Sequence, residues 1–365
     1  MNPLVLSSAH YKEIFERMTQ LSLDYLATLP ERPSFPNVTA NEIQSWFSRE
    51  LPEKGIGDAA FDELGKVIDG CRPNSPRFFG YVFGSGEPVA AAADLLTSVL
   101  NQNATAWRSG PTAATLEHLV VGWLGEAIGC HGFTGTLTGG GSPANLMALA
   151  MAREARLPAN ESGARAGTVY ASEQVHMSIP KAVALLGIGR DHLRLIACDG
   201  EYRIRPGMLR RVMASDVAAG RRPIAVVGSA GTVATGSIDP LSQLAEIARQ
   251  HGAWFHVDGA YGALAAMAQP EKFAGLEQAD SLSLDPHKWL YQPVDCGCLL
   301  YRDASAAQRA FSHTGDYAKS LLEDPVENFA FFEEVDGAVA TLSRLEAVAV
   351  AAVSRAGEVP PGHRQ

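Results

Sequence analysis

Basic residues are in short supply in this chain. Its 365 residues include 30 lysines and arginines against 40 acidic residues, giving a formal net charge of −10 and a pI near 5.5. That balance lacks the basic footprint of a sequence-independent nucleic-acid binder, so no nucleic-acid partner is expected. Long apolar runs are missing as well. The longest apolar-leaning stretch, Val89 to Leu100, is too short for a bilayer and carries Asp94, so no membrane partner is expected either. The start, MNPLVLSSAHYKEIF, has neither the basic opening nor the long apolar centre of a signal peptide, which points to a cytoplasmic protein. Cysteines number five, and only Cys296 and Cys298 are close neighbours. This excludes a disulfide framework and a CxxC metal pattern; the pair reads as buried strand residues, with no metal site. Apolar residues, by contrast, make up 46% of the chain and charged ones 19%, enough to bury a full core.

Two helices open the chain. Tyr11, Ile14, Phe15, Met18, Leu21 and Tyr25 recur at helical spacing, and Thr39 with Glu42 forms a capping box before Ile43, Trp46 and Phe47. Neither is large enough for its own core, so residues 1–75 read as a helical arm packed on something else, such as a second subunit. From about Gly132, short β-rich runs alternate with helical segments, as in βαβ units. Strands are expected at Thr134–Leu137, Thr168–Ala171, Leu193–Ala197, Ile224–Val227, Trp254–Val257, Ser281–Leu284 and Gly297–Tyr301. Helices are expected at Pro143–Arg156, Ile179–Leu186, Gly207–Val217 and Leu241–His251. Several strands are apolar throughout, which suits a parallel sheet covered on both faces, with ligands beyond the carboxyl ends of its strands.

The chemistry is sought there. After the first strand, Thr138-Gly139-Gly140-Gly141-Ser142-Pro143 leads into a helix, with Ser142 read as N-cap and Pro143 as first helical residue: an anion cradle, most simply for a phosphate. It is neither a P-loop nor a dinucleotide fingerprint. Ser172, Glu173 and His176 follow the second strand, and Ser229-Ala230-Gly231-Thr232 makes another small-residue turn. Asp258 stands at the end of the strand in FHVDGAY, and Lys288, one of only seven lysines, lies just past the strand in SLDPHKW. Together these residues ask for a ligand with a phosphate, a ring nitrogen and an aldehyde. Pyridoxal phosphate (PLP) fits: Lys288 would form the Schiff base, Asp258 would pair with the protonated ring nitrogen, and His176 would stack on the ring. Gly141, Ser142 and Thr232 would bind the phosphate.

The segments SEQVHMSIPKA, HVDGAYGA and DPHKWLYQPVDCGCLLYR resemble those of the group II PLP-dependent decarboxylases, the family that includes aromatic-L-amino-acid decarboxylase, in order and spacing from roughly residue 10 to Glu334. The resemblance implies a fold-type I PLP-dependent transferase-like large domain, α/β with a mostly parallel sheet, a homodimer, and the same roles for Lys288, Asp258 and His176. It also brings Ala260, Asp285 and His287 to the cofactor. Many relatives have Asn where Asp285 stands, and a solvated carboxylate near a phosphate is not an obvious help. The expected organisation is an arm over residues 1–75, a PLP-binding domain over 76–310, a catalytic loop and connection over 311–334, and an aberrant tail over 335–365.

Within AFSHTGDY, the resemblance makes Tyr317 the acid that protonates the former α-carbon after a quinonoid has formed. Phe79 and Tyr81 in FFGYVF, with Trp107, are candidates for an aromatic side-chain pocket; the alternative is a strand and a core tryptophan. The implied reaction is decarboxylation of an L-amino acid, aromatic favoured, to its amine and carbon dioxide. A desulfurase, an aminotransferase and an impaired remnant retaining at most PLP binding stay open. The tail departs from the family, which continues with an Arg-rich helix and a further small domain. Of its 31 residues, Val335 to Gln365, 13 are Ala or Val. Back-translating Val335–Val359 with chosen synonymous codons and reading one base over yields SMELSRRFRALKLWLSLRYHGLERF, a pattern expected next in the family. The tail therefore reads as a frameshift near Glu334 with the small domain missing, the alternative being a natural Ala/Val helix around Leu342–Val353.

Overall fold

The computed structural model describes residues 6–311 except 48–49, 51–52, 54, 76–77, 79, 83, 104–109 and 164. These fall into two units, one up to Tyr81 and one from Val82 onward. The first holds α1 (Ser8–Thr28), α2 (Ala40–Trp46) and α3 (Ala59–Gly70), none with a buried residue. The Thr39 and Glu42 capping box closes reciprocally at the start of α2. Arg17 ties α1 to the segment opening α3, reaching Asp58 at 3.3 Å and lying 3.7 Å over the Phe61 ring. Residues 78 and 80–82 form no strand; Tyr81 and Val82 turn with φ of 63° and 59°.

The second unit opens with α4 (Pro88–Leu100) and α5 (Pro111–Ala127), each starting on a proline whose missing N–H costs a helix nothing at that place. Then come β1 (Thr134–Thr138), α6 (Gly141–Arg156), β2 (Gly167–Ser172), α7 (Ser178–Leu185), β3 (Leu193–Ile196), α8 (Pro206–Ala218), β4 (Arg222–Ser229) and α9 (Leu241–Gln250). Strand β5 (Trp254–Asp258), β6 (Ser281–Leu284), the short α10 (Pro286–Trp289), β7 (Gly297–Tyr301) and α11 (Ala304–Phe311) complete it. The strands make one sheet in the order β1-β7-β6-β5-β4-β2-β3, parallel apart from β7, which runs antiparallel to both β1 and β6.

Helices α5, α8 and α9 cover one face and α6, α7 and α11 the other, each over its own apolar cluster. Helix α9 shows the cause: Leu241, Leu244, Ile247 and Ala248 recur every three or four residues and are all buried. Each of its three large aliphatic side chains contributes about 1.5–3 kcal/mol on leaving water. Strands β5 and β6 are buried throughout yet carry a polar stripe. Their register sets His256 beside Ser281 and Asp258 beside Ser283, so period-two alternation puts all four polar groups on one face of the sheet.

One local expectation is corrected. Helix α6 starts at Gly141, with Gly140 rather than Ser142 at the N-cap and no side-chain capping bond. Gly140 has φ of 127°, a conformation a residue with a Cβ rarely adopts, so the glycine ends the strand and opens the helix.

Candidate active site

A cavity of about 220 Å³ lies at the carboxyl edge of the parallel strands. The β1–α6 turn supplies Gly139 to Ser142, with the positive end of the 16-residue α6 behind them. The turn is held by Thr138 Oγ1, which donates to the Gly140 carbonyl at 2.9 Å. A Cβ on Gly141 would lie 2.6 Å from Ala260 Cβ and 3.0 Å from Asp285 Oδ2, so glycine is what lets these segments meet. Across the cavity, the turn after β4 brings Ser229, Gly231 and Thr232. Gly231, at φ of 95°, sits so close to Gly262 that an added Cβ would come within 2.9 Å of its Cα. Behind that turn, the Asp239 carboxylate accepts from the amides of Ser229 at 2.8 Å and Ile204 at 2.7 Å, and burial pushes its pKa up to about 6.

Asp258 ends β5 buried, with both oxygens engaged. Oδ2 accepts from Asn145 Nδ2 at 3.0 Å, and Oδ1 accepts from Ser283 Oγ at 3.1 Å and the Ala260 amide at 3.2 Å. Lys288 sits in the short α10 just past β6, with its Nζ 2.7 Å from Asp285 Oδ2. Asp285 is buried, not solvated as the sequence suggested. Burial raises its pKa, while Lys288 and His287 pull it back down. Asp285 Oδ1 has no hydrogen-bond partner among the described residues. His287 Nδ1 lies 2.7 Å from the Cys296 carbonyl, and His176 Nδ1 lies 2.9 Å from Ser178 Oγ.

The structure thus brings Gly141, Ser142, His176, Thr232, Asp258, Ala260, Asp285, His287 and Lys288 to one cavity. Ser172 and Glu173 are engaged elsewhere, Ser172 Oγ 3.0 Å from Cys198 Sγ and Glu173 Oε1 accepting from the Cys198 amide at 3.1 Å. Tyr81 belongs to the first unit, packing on Phe78 with ring centroids 5.5 Å apart and on Phe35 at 6.3 Å. Phe79, Trp107, Tyr317 and the tail from 335 lie outside the described residues. Sequence reasoning missed Asn145, Gln174, Ser283 and Asp295, of which all but Ser283 line the cavity. For Ser283 a signal existed: a serine in phase with the neighbouring strand's Asp258.

An anion cradle without side chains, a buried carboxylate fixed by three donors and a primary amine, all on one small cavity, define a site for a phosphorylated aldehyde cofactor with a basic ring nitrogen. The donor set fits PLP, and the contact at Gly141 leaves the cradle open where a side chain would fill it. Residues 61–330 match the pyridoxal-dependent decarboxylase conserved domain, and the chain belongs to that family. Its members are PLP-dependent carboxy-lyases. The chain is 31% identical to an aromatic-L-amino-acid decarboxylase of Bacillus atrophaeus, over 87% of this chain and 66% of that protein. It is 32% identical to a tyrosine decarboxylase of Oryza sativa subsp. japonica, over 86% of this chain and 62% of that one. Among solved structures it resembles Oryza sativa TDC with PLP and tryptamine at a TM-score of 0.85 and 27% identity, over 97% of this chain and 76% of that one. The fold is therefore the fold-type I large domain. The chain spans just under two thirds of the length of these curated relatives.

Proposed function

We propose that this chain is a PLP-dependent decarboxylase that converts an L-amino acid, with aromatic side chains favoured, to its amine and carbon dioxide. The observation that carries this reading is the convergence of Lys288, Asp258 and the glycine cradle on one cavity. Aromatic relatives such as the Bacillus atrophaeus protein support the substrate class. Bound there, the cofactor supplies the aldehyde and the electron-withdrawing ring that make loss of carbon dioxide from the α-carbon accessible.

The chain's own residues do the rest. Lys288 Nζ is the group that would hold the cofactor through its aldehyde carbon and give it up to the substrate amine. Asp258 keeps a proton on the ring nitrogen through a charge-assisted hydrogen bond, held in place by the donors on both its oxygens. The Gly139–Ser142 turn, Thr232 and His287 grip the phosphate, with Ala260 and Asp285 closing the cofactor side. His176, which lines the cavity, would lie against the ring. Tyr317 delivers the proton that the α-carbon takes up once the carboxylate has left with its bonding pair retained on the substrate. The roles of Phe79, Tyr81, Trp107 and Tyr317 rest on the sequence. The working unit is read as a homodimer, because α4 leaves Leu95, Leu96, Val99 and Leu100 about half exposed or more. Among the described residues no helix is long and apolar enough to cross a membrane.

Borohydride reduction of the PLP-loaded chain should fix the label on Lys288, and a panel of amino acids should release carbon dioxide from aromatic members first. A label recovered on any of the other lysines would overturn the assignment.

A further inference from the structure

The polar stripe on β5 and β6 joins a chain of hydrogen bonds whose direction is forced at three points. Trp254 Nε1 can only donate, and it reaches Ser281 Oγ at 2.8 Å. Ser281 Oγ, which has a second acceptor site as well as its own hydrogen, meets His256 Nδ1 at 2.9 Å. That imidazole is fully buried and burial pushes its pKa down to about 4, so it carries one hydrogen, whose place is set from its other side. Nε2 meets Asn145 Oδ1 at 2.9 Å. The Asn145 amide nitrogen therefore points the other way and spends both hydrogens, one on Asp258 Oδ2 at 3.0 Å and one on Ser178 Oγ at 2.9 Å. The Asp258 carboxylate, which only accepts, is the second fixed point: it sets the amide nitrogen toward itself and the amide oxygen toward His256, so Nε2 carries the imidazole hydrogen and Nδ1 accepts from Ser281.

Ser178 continues the chain, its hydroxyl passing the last hydrogen to His176 Nδ1 at 2.9 Å. The third fixed point agrees, since the Ser178 backbone N–H also donates to that nitrogen at 3.3 Å. His176 accordingly carries its hydrogen on Nε2. Asn145 joins three members of this chain, His256, Asp258 and Ser178, and is 1% exposed. A primary amide is the one side chain of that reach with an acceptor and two donors.

Resting on the PLP reading of the cavity, we propose that Asn145 is the positioning residue that couples the acid at the cofactor's ring nitrogen to the histidine beside the ring. It turns Asp258 and sets the His176 tautomer together. The test uses the full chain labelled with ¹⁵N at histidine, free and loaded with ¹⁵N-pyridoxal phosphate. In the wild type, His256 and His176 should both carry their hydrogen on Nε2 near neutral pH. Asn145→Ala should mix the tautomers of both, shift the ring-nitrogen resonance and weaken PLP retention about tenfold, the loss expected from one charge-assisted hydrogen bond. Asn145→Asp keeps the oxygen that His256 needs and offers Asp258 no donor. It should restore the His256 tautomer without restoring the ring-nitrogen signal, and it carries the test if Asn145→Ala does not fold. Wild-type His256 protonated on Nδ1, or ring-nitrogen and His176 signals unmoved in both variants, would overturn the proposal. Failure of the chain to take up PLP would instead overturn the reading of the cavity, because the histidine tautomers of the ligand-free chain are read without it.

Discussion

Replacing Gly141 by alanine tests how the cradle is built. A methyl there would lie 2.6 Å from Ala260 Cβ, against about 3.5–4.0 Å for carbons in contact, so something must give by about an ångström. Ala260 is poorly placed to yield, because its amide donates to Asp258 Oδ1. On the other side the methyl would press on Asp285, whose Oδ2 holds Lys288 at 2.7 Å. Overpacking of this kind costs about 1–3 kcal/mol. At about 2–4 °C per kcal/mol for a domain of this size, the ligand-free variant should melt roughly 2–12 °C lower. If the displaced atoms are those that hold the cofactor, PLP affinity should fall roughly five- to 150-fold over the same range of energy. Thermal melting and a titration followed by cofactor absorbance measure the two effects. Gly139→Ala is the control on melting, since nothing lies within 4 Å of its added Cβ and its φ is ordinary. A Gly141→Ala protein that melts with the wild type and binds PLP within about twofold would refute the reasoning.

Asp239 gives a prediction in pH. Its folded pKa of about 6 lies above the reference 3.8, so its contribution to stability is full below the lower value and is lost as pH rises through the higher one. Over about two pH units that amounts to roughly 3 kcal/mol. Urea unfolding should show wild type losing about that much relative to Asp239→Asn between acid and neutral pH, and parallel pH curves would exclude it. His256 works in the opposite sense, its stability being lost as pH falls through about 4, and it cancels in that difference. Among the thiols, burial raises Cys130 to about 12 and holds Cys298 well above the usual thiol value, while Cys71 is exposed. A thiol reagent on the native chain should therefore titrate Cys71 first and leave Cys130, Cys296 and Cys298 until unfolding. Prompt reaction at those three would contradict the burial described. For Tyr317→Phe the expected outcome is carbon dioxide release with reduced amine yield, and an unchanged yield would remove the tyrosine from the proton step.

The sheet was largely legible because its strands are short apolar runs set off by glycine and polar turns. Ser281–Leu284 and Gly297–Tyr301 fall where the pattern puts them, and the others differ by at most two residues at either end. The groups that end a strand were legible for the same reason, since Asp258 and Lys288 interrupt the pattern at the sheet's edge. Helix α6 was misread at its start because a serine before a proline mimics a capped end, whereas backbone freedom at Gly140 decides the matter. Asn145 was out of reach. Its partners Asp258 and His256 are more than a hundred residues away, and a helix pattern alone cannot show which polar group on its inner face has partners in the sheet. His256 looked like one more strand residue; only the register with β6 sets it beside Ser281.

The reversed strand β7 governs the order in which the molecule can be finished. It is the last strand among the described residues yet lies between β1 and β6, so β1 has no neighbour among the described strands until β7 has been made. The glycine turn follows β1, and Lys288 follows β6. An added Cβ on Gly297, the first residue of β7, would come within 2.5 Å of Gly140, which shows how closely the late strand is fitted to the early turn. A nascent chain can assemble its inner parallel strands during synthesis, but the β1 edge with its glycine turn joins the strands that carry Lys288 only through β7. Such a long-range closure is a slow kind of event, and a ligand that touches both sides favours the closed form by mass action. A cofactor held by both sides would therefore favour the chain with β7 in place.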